Sequence, residues 1–255
     1  MNTLDSPRYD GIGGGYASFR REDPQIGTRI VAALGDATTV VNVGAGAGSY
    51  EPEGRHVIAI EPSDVMAAQR PRARAPAIRA SAADLPLRDG SVDAAMAVLT
   101  IHHWDDGRER GVREMRRVAR GPVVIVTVDA EVSGRMWLMA DYLTEVRALD
   151  RQIFPRIDQL TEWLGGRAQV EVVPVPRESP DWSLLSFWAH PERVLDRAAR
   201  AATSGFARMS PDVVQRVVSD VDRDLRDGTW DARHGHLRTL DAFDGGLRIV
   251  VGTPS

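Results

Sequence analysis

The sequence predicts a doubly wound α/β fold, and three observations carry that prediction. Short β-branched runs recur through the first half of the chain, each followed by a helical or turn segment. The first of them, TTVVNVG (38–44), passes directly into a glycine-rich turn. The run PVVIVTVD (122–129) is apolar on both faces, as a strand of a parallel sheet covered by helices must be. Strands alternating with helices form right-handed βαβ units, which wind into one such sheet.

At 255 residues the chain fits one large domain or one domain with a sizeable insertion, and a hydrophobic fraction of 43% suffices for its core. No apolar run approaches the roughly eighteen residues of a membrane span. The start, MNTLDSPRYDGIGGGY, lacks the basic segment and apolar run of a secretory signal, so a cytoplasmic location is expected. Cysteine is absent, which excludes disulfides, thiolate catalysis and thiolate metal ligation. A formal net charge of −4 argues against a dedicated nucleic-acid binder. All 32 basic residues are arginine, from either the codon bias of a GC-rich genome or an anion-binding surface. The clusters Arg70, Arg72, Arg74 and Arg113, Arg116, Arg117 read as solvated helix faces.

Three zones are expected. Residues 1–36 form an N-terminal helical cap segment, in which PQIGTRIVAALG (24–35) places Ile26, Ile30, Val31 and Leu34 at helical spacing before the stop at Gly35. Residues 37–130 form the ligand-binding core. Its strands are expected at 38–44, HVIAI (56–60), AIRAS (77–81), SVDAAMAVLT (91–100) and 122–129. Ser63 is expected to cap the helix after the second strand, and Asp105 the amphipathic helix carrying Val112, Met115 and Val118. Residues 131–255 hold the remainder of the sheet with a helical cap insertion at about 131–165 and 181–240. Here 137–153 and 155–165 read as helices, RAQVEVVPVP (167–176) as a strand and LRIVVGT (247–253) as the last strand. A long insertion between late strands is where such a fold carries a substrate cover.

The glycine turn is Gly44-Ala45-Gly46-Ala47-Gly48-Ser49. Glycines after a buried strand let the chain bend sharply and let a ligand approach the backbone. Alone, the pattern equally describes a turn with no ligand. Glu61, at the end of the second strand, can accept hydrogen bonds from both ribose hydroxyls of a nucleoside lying over the turn. A nicotinamide dinucleotide and S-adenosylmethionine both fit that pair. A dinucleotide, however, requires G-x-G-x-x-G running into a long helix that faces its pyrophosphate. Here Ser49 occupies the third site, Pro52 follows, and only Tyr50 to Arg55 remain before the next strand. S-adenosylmethionine carries no phosphate, so the loop favours it. An NAD(P)-dependent oxidoreductase is the runner-up.

The runs VVNVGAGAGSYEP, VIAIEPSDVMAAQR and SAADLPLRDGSVDAAMAVLTIHHWDD, spanning roughly residues 38–129, resemble the class I S-adenosylmethionine-dependent methyltransferase pattern. More narrowly they resemble its ubiquinone/menaquinone-type "methyltransferase 11" domain. The resemblance implies a seven-stranded Rossmann-like sheet with an antiparallel last strand, S-adenosylmethionine as cofactor and S-adenosylhomocysteine as product. It implies that Gly44, Gly46 and Gly48 pack against the methionine and ribose portions and that Glu61 holds the ribose hydroxyls. Pro62, Ser63 and Met66 would border the adenine, with Ser81 and the backbone amide of Ala82 at its edge and Val98 and Leu99 beside the methionine chain. Asn42 and Ser81 depart from the pattern, each standing where an acidic residue is usual; both still hydrogen-bond, without the charge. Upstream, Tyr9, Tyr16 and Arg20 sit where related enzymes close over the donor, with Arg20 suited to its carboxylate. The alternative is a surface arginine with two packing tyrosines.

Methyl transfer is an in-line displacement to which positioning contributes much, and a base is needed only when the acceptor must lose a proton. His102 and His103 follow the fourth strand at the carboxyl edge, where either is a candidate general base. Asp129, ending the fifth strand, is a candidate to orient them or to act itself. The bland alternative is that a histidine packs or caps the next helix. His102, His103, Asp105 and Asp106 match no metal-binding spacing, and no metal is expected. Of the late aromatics Trp137, Tyr142, Phe154, Trp182, Phe187, Trp188, Phe206 and Trp230, most read as the cap's own core. Trp182 and Trp188, flanking Leu184 and Leu185, are candidate walls of an apolar acceptor pocket. His190, His234 and His236 read as surface residues.

The fourth strand ends in LTIHHW and lacks the Asn/Asp-Pro-Pro-aromatic motif of base-methylating enzymes. The expected function is methyl transfer to an oxygen, nitrogen or carbon of a small-molecule acceptor, with secondary metabolism as a candidate setting. No nucleic-acid partner and no membrane span are expected, in a monomer or homodimer. A protein that binds S-adenosylmethionine without transferring the methyl is a further alternative, because donor site and chemistry are separable.

Overall fold

A computed structural model describes residues 21–253. Helix α1 (Pro24–Ala33) starts where Asp23 accepts the Gln25 amide and proline occupies the first turn, and it buries Ile26 and Ile30. Among the described residues the strands are β1 (Thr39–Val43), β2 (His56–Ile60), β3 (Ala77–Ile78), β4 (Ala94–Val98), β5 (Val123–Val128), β6 (Ala168–Val172), β7 (Val175–Pro176), β8 (Ala242–Phe243) and β9 (Leu247–Gly252). Seven of them form one sheet in the order β3-β2-β1-β4-β5-β9-β6. The first five run parallel, and β9 runs antiparallel to both β5 and β6. This is the seven-stranded, doubly wound sheet that the sequence resemblance implies. Every residue of β5 is buried, as a central strand covered on both faces requires.

The remaining helices are α2 (Asp64–Ala68), α3 (Arg108–Val118), α4 (Ala130–Ser133), α5 (Thr144–Ile153), α6 (Ile157–Trp163), α7 (Arg197–Ala201), α8 (Ser204–Ala207), α9 (Pro211–Arg226) and α10 (Thr229–His234). Ser63 caps α2, accepting the Met66 amide, and α3 buries Val112, Met115 and Val118, both as expected. One sheet face packs on α3 and α6 through residues such as Val41, Ile125, Met115 and Leu160. The other merges with the cap, joining Met96, Val126 and Ile249 to Trp137, Trp188 and Trp230 in one core.

Three local expectations are corrected. Asp105 does not cap α3. Two tight turns, Ile101–His103 and Asp105–Gly107, intervene, Asp105 takes a left-handed φ of 44°, and Gly107 holds the cap position. The helix expected over 137–153 is broken: a π-type turn at Leu138–Tyr142 ends at Leu143, with φ −113° and ψ 53°, and α5 restarts after it. The strand expected over 167–176 is split, because Pro174 has no amide to continue the ladder. Beyond it, β7 leaves the sheet and pairs antiparallel with β8.

The cap's aromatics form its core: Trp137, Tyr142, Phe187, Trp188, Phe206 and Trp230 are all buried. The indole of Trp137 donates to the Trp188 carbonyl at 2.9 Å and meets Trp230 edge-on at 5.4 Å. His234 is half-buried rather than on the surface, packed against Trp137 and Trp230 with Nε2 2.8 Å from Asp141 Oδ2. His190 is likewise half-buried, 2.8 Å from the Arg177 carbonyl, whereas His236 is exposed. Among the described residues no helix is long and apolar enough to cross a membrane.

Trp230 is fully buried at the junction of α9, α10 and the π turn. Trp230→Ala is expected to cost about 3–5 kcal/mol of stability, read as a lower urea midpoint at unchanged slope.

Candidate active site

The site begins at the tip of β1. The amides of Gly44 and Ala45 both donate to the Ile60 carbonyl at 2.9 Å, which pins the glycine turn to the end of β2. Gly44 has φ +70°, and a Cβ there would lie 2.2 Å from Thr100 Oγ1, so only glycine fits. Glu61 follows β2 and faces this bend. Its Oε2 accepts from the Gly46 amide at 2.8 Å and its Oε1 from the Ser63 amide at 2.9 Å. Burial raises the Glu61 pKa, while those two amides and the charge of Arg70 pull it back down. Both carboxylate oxygens are thereby oriented, and each keeps a lone pair to accept a further hydrogen bond.

A buried ion pair braces the turn from behind. Arg70 Nη2 reaches both oxygens of Glu51, at 2.8 and 3.0 Å, with side-chain exposures of only 3% and 1%. Arg70 also donates to the carbonyls of Gly46 at 3.2 Å and Ala75 at 2.9 Å, and Arg74 donates to the Glu51 carbonyl at 2.7 Å. The reading of Arg70 and Arg74 as a solvated helix face is therefore corrected: α2 ends at Ala68, and the chain turns these side chains inward. Gly48, at φ +95°, leaves the room this pair occupies, since a Cβ there would stand 3.2 Å from Arg70 Nη1. Asn42 is held by its amide to Glu51 at 3.1 Å, and its buried Oδ1 has no partner among the described residues.

A cavity of about 750 Å³ opens from this turn and runs under the cap. Gly44, Gly46, Glu61, Pro62, Met66, Ser81, Ala82, Val98, Leu99, His102 and His103 all line it, so the structure brings most of the sequence-derived candidates together. Gly48 and Ser63 stand behind its wall, Gly48 against the Arg70–Glu51 pair and Ser63 as the cap of α2. Asp129 is not brought to the histidines. Its carboxylate caps α4, accepting the amides of Glu131 and Val132, while the preceding Val128 lines the cavity. Trp182 and Trp188 do not line it either. The tight turn Leu184–Phe187 turns Leu184 and Leu185 to the cavity, Trp188 is buried against Phe243, and Trp182 lies under Arg193. Tyr9, Tyr16 and Arg20 lie outside the described residues.

Also in the cavity wall, after the tip of β4, His102 is buried, with its ring 3.8 Å from that of His103 and 4.4 Å from Phe154. Burial pushes its pKa well below the usual imidazole value, and His103, Arg208 and Arg108 push the same way, so it is neutral at pH 7. Its Nδ1 has no partner among the described residues. Arg208 Nη2 stands 3.4 Å from His103 Nδ1. The sequence reading missed Asp150, which lines the cavity from α5 with Val146 and Phe154 at four-residue spacing. Burial pushes its pKa up to about 7, opposed by Arg208. The available signal was an ionisable residue inside an apolar helical stripe. Glu51 and Arg70 offered no signal in so arginine-rich a chain.

Among the described residues the non-glycine residues in the left-handed region are Tyr50, Leu99 and Asp105, with φ of 61°, 50° and 44°, and all three line the cavity. Each such conformation costs about 1–3 kcal/mol and is held by its surroundings. Among the described residues no group of three or more His, Asp or Glu could hold a metal ion.

Comparison with known proteins agrees with this geometry. Residues 41–126 match the family model described as a methyltransferase domain. The chain is similar to a protein of Anabaena variabilis ATCC 29413 described as a methyltransferase from an antibiotic biosynthesis pathway. Identity is 28%, the match covers 92% of this chain and 99% of that one, and the TM-score is 0.83. A geranyl diphosphate C-methyltransferase from Streptomyces coelicolor A3(2), solved with Mg2+, geranyl diphosphate and S-adenosyl-L-homocysteine, shares the fold at 15% identity, TM-score 0.51, covering 91% of this chain and 79% of that one. So does a Haemonchus contortus phosphoethanolamine N-methyltransferase solved with S-adenosyl-L-methionine, at 15% identity, TM-score 0.56, covering 94% of this chain and 56% of that one. No curated protein matches. The fold is that of class I methyltransferases, and the chain is an enzyme of the S-adenosylmethionine-dependent methyltransferase class.

Two outcomes follow from the buried charges. Arg70→Met leaves Glu51 buried without its partner and is expected to cost about 3–5 kcal/mol, read by urea denaturation, with much of the loss recovered in a Glu51→Leu/Arg70→Met double variant. Asp150 has a folded-state pKa above its unfolded value, so its contribution to stability is full at low pH and is lost as pH rises through about 7. Relative to the native chain, Asp150→Asn is therefore expected to gain melting temperature between pH 5 and pH 8, measured by thermal unfolding across that range.

Proposed function

We propose that the chain transfers the methyl group of S-adenosylmethionine to a small-molecule acceptor held in the cap half of the cavity. The observation that carries this reading is Glu61: its carboxylate turns back onto the Gly46 amide at 2.8 Å, at neighbouring strand tips, with the cavity opening over both. A nucleoside laid there meets a carboxylate with lone pairs to spare for two ribose hydroxyls. Pro62 and Met66 wall the adenine side, with Ser81 and Ala82 at its edge. Gly44 and Gly46 let the backbone approach the methionine portion, Val98 and Leu99 flank it, and the free Oδ1 of Asn42 accepts from its ammonium. When bound, the donor supplies an electrophilic methyl on a sulfonium. The chain's own contribution is to hold that methyl and the acceptor in line and to exclude water.

Residues 49–55 form turns and extended chain with no helix, so no helix N-terminus faces a diphosphate. That disfavours the nicotinamide reading. The relative from an antibiotic pathway supports secondary metabolism as the setting, and the motif pattern supports the ubiquinone/menaquinone-type subclass. We retain the division into a cap segment (1–36), a donor-binding core (37–130) and a region that completes the sheet and covers the acceptor (131–255). A cytoplasmic monomer or homodimer acting on no nucleic acid completes the reading.

S-adenosylmethionine and S-adenosylhomocysteine are each expected to raise the melting temperature, and NADH to leave it unchanged. Glu61→Ala should weaken S-adenosylhomocysteine binding about tenfold or more by calorimetry, through loss of the charged acceptor to the ribose. A shift with NADH alone would favour the oxidoreductase. Donor binding without methylated product across a broad acceptor panel would favour a non-transferring binder.

A further inference from the structure

We infer that Asp150 accepts the hydrogen bond of the acceptor's O–H group and takes its proton, so that the acceptor is a neutral hydroxyl compound with an apolar body. The inference rests on the donor reading above and extends it to the other substrate.

The geometry comes from α5. Val146 and Asp150 of α5 lie on one helical face and line the cavity together with Phe154 at the helix C-cap and with Leu184. The Asp150 carboxyl is mostly withdrawn from solvent, and no donor reaches it among the described residues. A polar group placed alone in an apolar wall loses hydration without replacement, unless a ligand supplies the partner. The histidines are poorer candidates for the proton. His102 is buried and its affinity for a proton is depressed, and Arg208 donates toward the Nδ1 of His103. They shape and polarise the end of the pocket that Asp150 serves.

Charge selects the acceptor. Asp150, His102 and His103 line this end, and Asp105 and Asp181 also stand in the cavity wall; Arg208 acts on it from beside His103, and Arg108 is bonded to the Ile153 carbonyl just beyond Asp150 on α5. Arg108, Arg208 and the donor's sulfonium oppose a cationic acceptor, and the Asp150 carboxylate opposes an anionic one. A neutral O–H satisfies both. Phe154, Val146 and Leu184 offer apolar surface to the rest of the molecule.

The step balances. The acceptor oxygen forms a bond to the methyl carbon as its O–H proton passes to the Asp150 carboxylate. The carbon–sulfur bond breaks with its electron pair retained by sulfur, leaving a neutral thioether, a methyl ether and a protonated Asp150. That proton then leaves to solvent. A carboxyl held near neutrality is suited to this exchange, because it is ionised often enough to accept and gives the proton up again at working pH.

The test uses the native chain, Asp150→Asn and Asp150→Glu, with phenol, benzylamine and benzoate as probes of the complex with S-adenosylhomocysteine. Phenol should bind in preference to the two ions, several-fold more tightly above pH 7 than at pH 5, and Asp150→Asn should remove that pH dependence while keeping S-adenosylhomocysteine affinity within twofold. With S-adenosylmethionine, conversion of phenol to anisole should rise through about pH 7, fall at least a hundredfold in Asp150→Asn and recover in part in Asp150→Glu. Preference for benzylamine or benzoate, binding of none of the three, phenol bound by the native chain without anisole formed, or an unchanged pH profile in Asp150→Asn would each overturn the inference. In every such case intact binding of S-adenosylhomocysteine leaves the donor reading standing. Loss of that binding in the native chain would bring down both.

Discussion

The buried pair of Arg70 and Glu51 is the interaction on which the donor half of the site depends. Two charges removed from water cost several kcal/mol each, and only dense hydrogen bonding offsets that cost. Here Nη2 of one guanidinium covers both oxygens of one carboxylate, while its Nε and Nη1 satisfy backbone carbonyls, so the pair's polar atoms are densely hydrogen-bonded. The pair ties four pieces of chain into one body: Asn42 on β1, the glycine turn, the segment before β2, and the end of α2. Glu61 is then set against a turn that is already rigid, so its carboxylate is oriented before any ligand arrives. Preorganisation of this kind reduces what ordering the site costs on binding.

The acceptor half is built on a different principle. It is shaped by a cap whose aromatic core is continuous with one face of the sheet. Trp137, Trp188 and Trp230 fill that core and leave the cavity to smaller neighbours, Leu184, Leu185 and Val146. The polar groups left in the wall feel a low dielectric, which lowers the proton affinity of His102 and raises that of Asp150. Left-handed backbone at Tyr50, Leu99 and Asp105 marks the seam between the two halves, where turns from β1 and β4 are held tightly by the packing around them.

How far the chain could be read without its structure depends on whether a feature is local. The strands at 39–43, 56–60, 94–98 and 123–128 were legible because a covered parallel sheet demands unbroken apolar runs, and 247–252, antiparallel but buried between two strands, carries the same composition. The cap of α2 by Ser63 was legible for the same reason, since capping is settled within four residues. Where the reading went astray, distant residues outweighed local preference. Periodicity over 137–153 suits one helix, yet the cap core draws Leu138, Met139 and Tyr142 inward through a π turn. The run 167–176 has strand composition throughout, but its second half pairs with residues far along the chain.

By itself the sequence determined the five parallel strands and the last strand, the glycine turn and the carboxylate that answers it, because each rests on short runs of residues with restricted conformations. Tertiary structure alone decided which arginines are buried, which aromatics wall the cavity and which carboxylate reaches the acceptor. Burial and electrostatic environment arise from segments remote in sequence, and an Arg70 or an Asp150 is written the same way whether it ends in water or in the core.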